Sequence, residues 1–249
     1  MKTIVKNLAV EYLDEGSGKV ILCLHGWQND MHSFDALASL LSPTNRVIRL
    51  DLPGFGNTEA PKEAWGLDDY VVFLQHFIEK LNLDVDVLLG HSFGGRIIIK
   101  GVAERRFHSR AIVLIGSAGI AKRPAMRNIV LKVLAKIGKT MVSLLPFNVL
   151  KITLRKKFYK LIGSDYADAG TLRETFVKVI SEDLSASAAG MTTRTLLIWG
   201  NDDVETPLSD GKQLARLIPH AQLKVMPQAG HFVHQEKPRE VATLIQNFL

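Results

Sequence analysis

Short β-branched and leucine-rich runs recur along the chain, each bounded by glycine or polar residues, and such runs predict strands. Residues 3–10 and 11–14 read as an opening hairpin region. Single strands follow at 20–24, 46–50, 85–89, 111–115, 195–199 and 222–226. Between them apolar positions fall at helical spacing, over 33–41, 67–81, 94–104, 207–217 and 236–248. Strands that alternate with helices build βαβ units. The chain is therefore expected to be an α/β protein with a mostly parallel, doubly wound sheet.

One interval breaks this rhythm. Residues 116–194 separate two strand candidates, far more than a crossover helix needs. Within it "NIVLKVLAKIGKTMVSLLPFNVLKITLRKKFYKLI" has a helical pattern broken at Gly138 and Pro146. The expected organisation is a core of residues 1–120 and 188–249 with a helical lid subdomain inserted at 121–187.

Charge sharpens that division. The chain of 249 residues carries a net +6, yet eleven Lys or Arg and no Asp or Glu lie between residues 121 and 160. The other 20 basic and 25 acidic residues leave the remainder at −5. The insertion is basic and the body mildly acidic. Few aromatics are interleaved with the basic positions and no nucleic-acid module is recognisable, so no nucleic acid is expected as a partner. No stretch reaches the roughly 18 apolar residues of a membrane span. The first residues, "MKTIVKNLAVEYLDEG", alternate as strands do and do not read as a secretory signal. Cys23 is the single cysteine, in the apolar run "VILCLHG", which reads as a buried, inert thiol. These features point to a reducing, cytoplasmic setting.

The chemistry is concentrated in "DVLLGHSFGGRIII". Gly90-His91-Ser92-Phe93-Gly94 is a G-x-S-x-G motif with a strand candidate before it and a helix candidate after it. Small neighbours let the backbone turn sharply there and lift a serine clear of the sheet.

On this motif and three further loops the chain resembles the α/β-hydrolase superfamily over nearly its whole length. "LHGW", "LLIWGNDDVETP" and "PQAGHFVHQEKP" resemble its oxyanion, acid and histidine loops, in the family's order. The resemblance implies Ser92 as nucleophile, His231 as general base and Asp203 as the acid that orients the imidazole. Asp202 and Glu205 are rival acids and His234 a rival base. The oxyanion-hole donors would be the backbone N–H groups of Trp27 and Phe93. His25, His91, Arg96 and Phe232 are candidates for substrate contact, against structural roles for the two histidines and an ion-paired or solvated role for the arginine. "DLPGFGNT" also resembles the family, and Thr58 there takes a structural role. No cofactor is implied. The histidines are not spaced as metal ligands and no Cys/His cluster suggests zinc.

The resemblance also narrows the reaction. Epoxide hydrolases and haloalkane dehalogenases of this fold use an aspartate where Ser92 stands. Carbon–carbon bond hydrolases of the fold keep the serine but tend to carry asparagine before it and tryptophan after the histidine. His91 and Phe232 occupy those positions here. A carboxylic ester hydrolase acting through an acyl-enzyme is the simplest match, with a small-molecule ester as substrate. The basic lid leaves open an anionic substrate, a thioester or ester on an acidic carrier protein, or an anionic membrane surface. A ligand-binding receptor on the same scaffold is a further alternative.

Overall fold

The computed structural model describes residues 1–120 and 172–249. The basic stretch 121–160 and most of the expected lid lie outside the described residues. Among the described residues eight strands form one sheet: β1 (Lys2–Val5), β2 (Leu8–Gly16), β3 (Lys19–Leu24), β4 (Asn45–Leu50), β5 (Val85–His91), β6 (Ala111–Ile115), β7 (Thr195–Gly200) and β8 (Gln222–Met226). Their order is β1-β2-β4-β3-β5-β6-β7-β8. β2 runs antiparallel to β1 and β4, and every other pairing is parallel. The fold is therefore α/β with a mostly parallel sheet, as the strand and helix pattern predicts.

The opening hairpin is tighter than its apolar pattern suggests. What reads as one run over 3–10 is broken at Lys6 and Asn7, which take φ of 49° and 63°. Two successive left-handed residues make the mirror-image turn whose twist suits a two-residue hairpin. Lysine gives little warning of it.

The helices are α1 (Asp35–Leu41), α2 (Leu67–Lys80), α3 (Phe93–Ala103), α4 (Arg173–Ser181), α5 (Ser185–Gly190), α6 (Leu208–Leu217), α7 (Val233–Glu236) and α8 (Pro238–Phe248). Helix α2 is well terminated. Asp69 accepts from the Gly66 N–H at 2.8 Å, Asp68 and Asp69 sit in the positive first turn, and Lys80 sits in the last. The helix expected over 236–248 is α8, which Pro238 starts just after the short preceding α7 ends at Glu236.

Alternation along the strands sorts the core into two layers. On β6, Ile112 and Leu114 join the layer under α2, α3, α5 and α6, while Ala111, Val113 and Ile115 join the layer under α1 and α8. Both faces are covered, which is why the central strands are apolar throughout. Cys23 faces the second layer, and burial pushes its thiol up to about 12. Residues 182–190 pack on the core: Leu184 is fully buried and its N–H bonds Gly119 O at 2.9 Å. Among the described residues no helix is long and apolar enough to cross a membrane.

Candidate active site

The carboxyl ends of the parallel strands gather the chemistry, as open α/β sheets generally do. Ser92 stands between β5 and α3 with φ 48° and ψ −105°, a left-handed conformation uncommon for a residue with a Cβ. The turn is held from three sides. Ser92 N–H donates to Ile115 O at 3.1 Å, Ala118 N–H to Ser92 O at 3.2 Å, and Gly94 N–H to His25 O at 3.0 Å. Gly94 allows a close approach. A Cβ there would lie 2.1 Å from the Leu24 backbone oxygen. Ser92 is half-buried and its Oγ makes no hydrogen bond among the described residues.

Asp203 follows β7 and His231 follows β8. His231 Nδ1–H donates to Asp203 Oδ2 at 2.9 Å, and both residues are buried. The other carboxylate oxygen accepts from the N–H groups of Glu205 (3.0 Å) and Thr206 (2.9 Å). Burial would raise the Asp203 carboxyl, but the bond from His231 and those from Thr206 outweigh it and hold it below the usual carboxylate range. Asp202 is exposed, and its carboxylate accepts from Asn201 Nδ2. Of the two neighbouring aspartates, Asp203 is the one on the imidazole. Glu205, the other rival, meets the opposite edge of that ring: its Oε2 lies 3.5 Å from His231 Nε2. Among the described residues no hydrogen bond joins Ser92 to His231.

Thr206 belongs to the group although sequence reasoning passed over it. Its hydroxyl lies 2.9 Å from Asp203 Oδ2, 3.0 Å from Gly116 O and 3.2 Å from His231 Nδ1. The only signal was its place in "DDVETP". Gly116, at φ 48°, ends β6 against this cluster, and a Cβ there would stand 3.3 Å from both Asp203 Oδ2 and His231 Nδ1.

The loop after β3 brings Gly26 and Trp27 beside the serine, with 3.4 Å between an ideal Gly26 Cβ and Ser92 Cβ. Phe93, in the first turn of α3, has its N–H outside the helical ladder. Neither the Trp27 nor the Phe93 N–H is used in loop, turn or cap bonding among the described residues. Around them stands an aromatic wall. The Trp27 ring meets Phe55 at 4.8 Å, Phe176 at 5.0 Å and Phe93 at 5.4 Å between centroids.

The remaining candidates divide. His25 is fully buried with both nitrogens used: Nδ1–H donates to Gly26 O (2.8 Å) and Nε2 accepts from Leu52 N–H (2.9 Å). It holds the loop after β3 to the loop after β4. Arg96, weighed as a substrate contact, is buried and donates to the Glu182 backbone carbonyl, while Lys100 pairs with the carboxylates of Glu182, Asp68 and Glu104. Phe232 is half-buried, 5.3 Å from the rings of both His91 and His231. Thr58 is buried and accepts from Glu11 N–H at 2.9 Å, a structural bond. A cleft of about 460 Å³ lined by Ile4, Val5, Lys6, His76, Glu79 and Lys80 shares no residue with this constellation. Among the described residues no group of three or more metal-ligating side chains exists.

Buried imidazoles give the fold an acid limit, and His25, which burial also lowers below the ordinary histidine value, is one of them. Burial, followed by neighbouring imidazoles, lowers His91 well below the ordinary histidine value and His234 to about 3. The unfolded chain protonates these residues near pH 6.5 while the folded chain holds them neutral. Below pH 6.5 the unfolded state binds more protons, so stability falls as pH falls, by up to about 1.4 kcal/mol per pH unit for each group. Urea midpoints are expected to drop steadily from pH 7 to pH 5. A flat or rising series would contradict the neutral burial.

The sequence profile described as "Alpha/beta hydrolase family" matches residues 21–244. The chain is 26% identical to the uncharacterized hydrolase YugF of Bacillus subtilis, covering 98% of this chain and 94% of that one. It is also 26% identical to a 2-hydroxy-6-oxo-2,4-heptadienoate hydrolase of Pseudomonas putida, over 95% and 91%. A thermophilic esterase from Thermogutta terrifontis superposes with a TM-score of 0.75 at 22% identity, covering 100% of this chain and 97% of the esterase. With an eight-stranded sheet, a strained serine elbow and a profile match over nine-tenths of its length, the chain belongs to the alpha/beta hydrolase family.

Proposed function

We propose that this protein is a serine hydrolase of carboxylic esters that acts through an acyl-enzyme. The observation that carries the reading is the buried Asp203–His231 bond at the same sheet edge as the strained Ser92 turn. In this scheme Ser92 Oγ attacks the ester carbonyl carbon as its proton passes to His231 Nε2. Asp203 fixes the tautomer with Nδ1 protonated and stabilises the imidazolium that forms. The carbonyl oxygen, now anionic, is met by the N–H groups of Trp27 and Phe93. Collapse breaks the C–O bond, and the alcohol leaves with the proton from Nε2. Water then repeats the cycle on the acyl-enzyme and releases the acid. The aromatic wall of Trp27, Phe55, Phe93 and Phe176 supports an apolar acyl group.

A second reading is cleavage of a carbon–carbon bond in a dienoate, supported by the name of the Pseudomonas putida relative. A panel of p-nitrophenyl esters of increasing acyl length, run beside a 2-hydroxy-6-oxo-dienoate, separates the two. Ester turnover that improves with acyl length is the expected result. Preference for the dienoate would install the second reading, and inertness toward both would remove each of them.

A further inference from the structure

We propose that His91 is a positioning residue, whose imidazole ties the loop carrying His231 to the elbow carrying Ser92. The inference rests on the serine-hydrolase reading and extends it by one side chain. His91 is the last residue of β5, paired in register with Ile115, and directly precedes Ser92. Its backbone is therefore as fixed as the elbow itself. Its side chain crosses to the other half of the machinery: Nε2–H donates to the backbone carbonyl of His231 at 3.1 Å, 140 residues away in sequence. Its ring centroid lies 4.6 Å from that of His231 and 4.5 Å from that of His234. The opposite edge rests on the oxyanion-side loop, where a Cβ on Gly26 would come within 2.8 Å of His91 Nδ1. One buried ring thus touches the nucleophile's strand, the base's loop and the residue before Trp27.

The alternative is that His91 only fills space. Its chemistry argues against that. The ring is 1% exposed, and Nδ1 has no hydrogen-bond partner among the described residues. A buried, unpaired ring nitrogen costs stability that an aromatic or aliphatic filler would not. What imidazole supplies and a filler lacks is the single N–H that reaches His231 O. That bond sets where the His231 backbone stands relative to Ser92. Displacement of a reacting group by about 1 Å costs on the order of 10²-fold in rate.

Three variants test this: His91→Gln, whose side-chain amide nitrogen reaches where Nε2 stands, His91→Asn, whose amide stops short, and His91→Ala. Each is measured for kcat and KM on a p-nitrophenyl ester, for the rate of phosphonylation by a fluorophosphonate, and for thermal unfolding. Asn and Ala are expected to lower kcat and phosphonylation by about 10- to 100-fold with KM unchanged, and Gln to restore most of the rate. Wild-type rates in the Ala variant, or a Gln variant as slow as Asn, would overturn the assignment. If the Ala variant does not fold, Gln against Asn still decides. Wild type that itself fails to react with the fluorophosphonate would strike the serine-hydrolase reading, and this proposal with it. Wild type that reacts, with variants that match it, would strike His91 alone.

Discussion

Ser92→Ala is expected to lower kcat on a p-nitrophenyl ester by about 10⁴- to 10⁶-fold while leaving the fold intact. The rate loss follows from the proposed covalent scheme. Without Oγ there is no acyl-enzyme, and His231 with the oxyanion donors can at best assist direct attack by water, worth about 10³–10⁴ over the uncatalysed reaction in serine enzymes generally. The intact fold follows from the local structure. Ser92 Oγ makes no hydrogen bond among the described residues, and the turn is held by backbone bonds to Ile115 O and from Ala118 N–H. Alanine keeps the Cβ and therefore neither relieves nor adds to the left-handed strain. Thermal unfolding within a few degrees of wild type, together with loss of burst kinetics and of fluorophosphonate labelling, is the expected pattern. A stable variant with substantial ester turnover would take the nucleophile's role from Ser92.

What the sequence disclosed, and what it withheld, divides along physical lines. The sheet was legible because burial on both faces forces continuous apolar runs such as 111–115 and 195–199, and the elbow because only small residues permit Gly94 to press on Leu24. The turn at Lys6–Asn7 was hidden because left-handed backbone there is carried without glycine. Side-chain direction was hidden almost everywhere. Arg96 and Lys100 follow the serine by four and eight residues, yet the partner they share is Glu182, more than eighty residues away in sequence. The same holds at the proposed site. The order serine, acid, histidine could be read, but not that Glu205 would lie against the imidazole edge opposite Asp203, nor that Thr206 would join the carboxylate. Spacing names the loops, while burial and long-range pairing decide which atoms meet.

Asp203→Asn is expected to reduce kcat by about 10⁴-fold, the loss typical when the acid of such a triad is replaced by its amide. The reason is tautomeric. Asp203 Oδ2 accepts the Nδ1 proton at 2.9 Å and so leaves Nε2 bare, ready for the serine proton. An asparagine amide turned to donate toward Nδ1 reverses this and puts the ring proton on Nε2, where it can accept nothing. Folding should survive, because the asparagine carbonyl can still receive the Glu205 and Thr206 N–H groups that bond Asp203 Oδ1. Asp202→Asn serves as the comparison. That residue is exposed and bonded to Asn201, so its substitution should leave kcat near wild type. The carboxyl of Asp203 is held below the usual range, so it stays ionised down to a pH where the buried histidines already threaten the fold. Loss of ester turnover between pH 7 and pH 5 should therefore come from other groups, and the Asp203→Asn variant should remain slow across that whole interval. Equal damage from Asp202→Asn, or a wild-type rate in Asp203→Asn, would transfer the orienting role to another carboxylate, and Glu205, 3.5 Å from Nε2, would then be the first to replace.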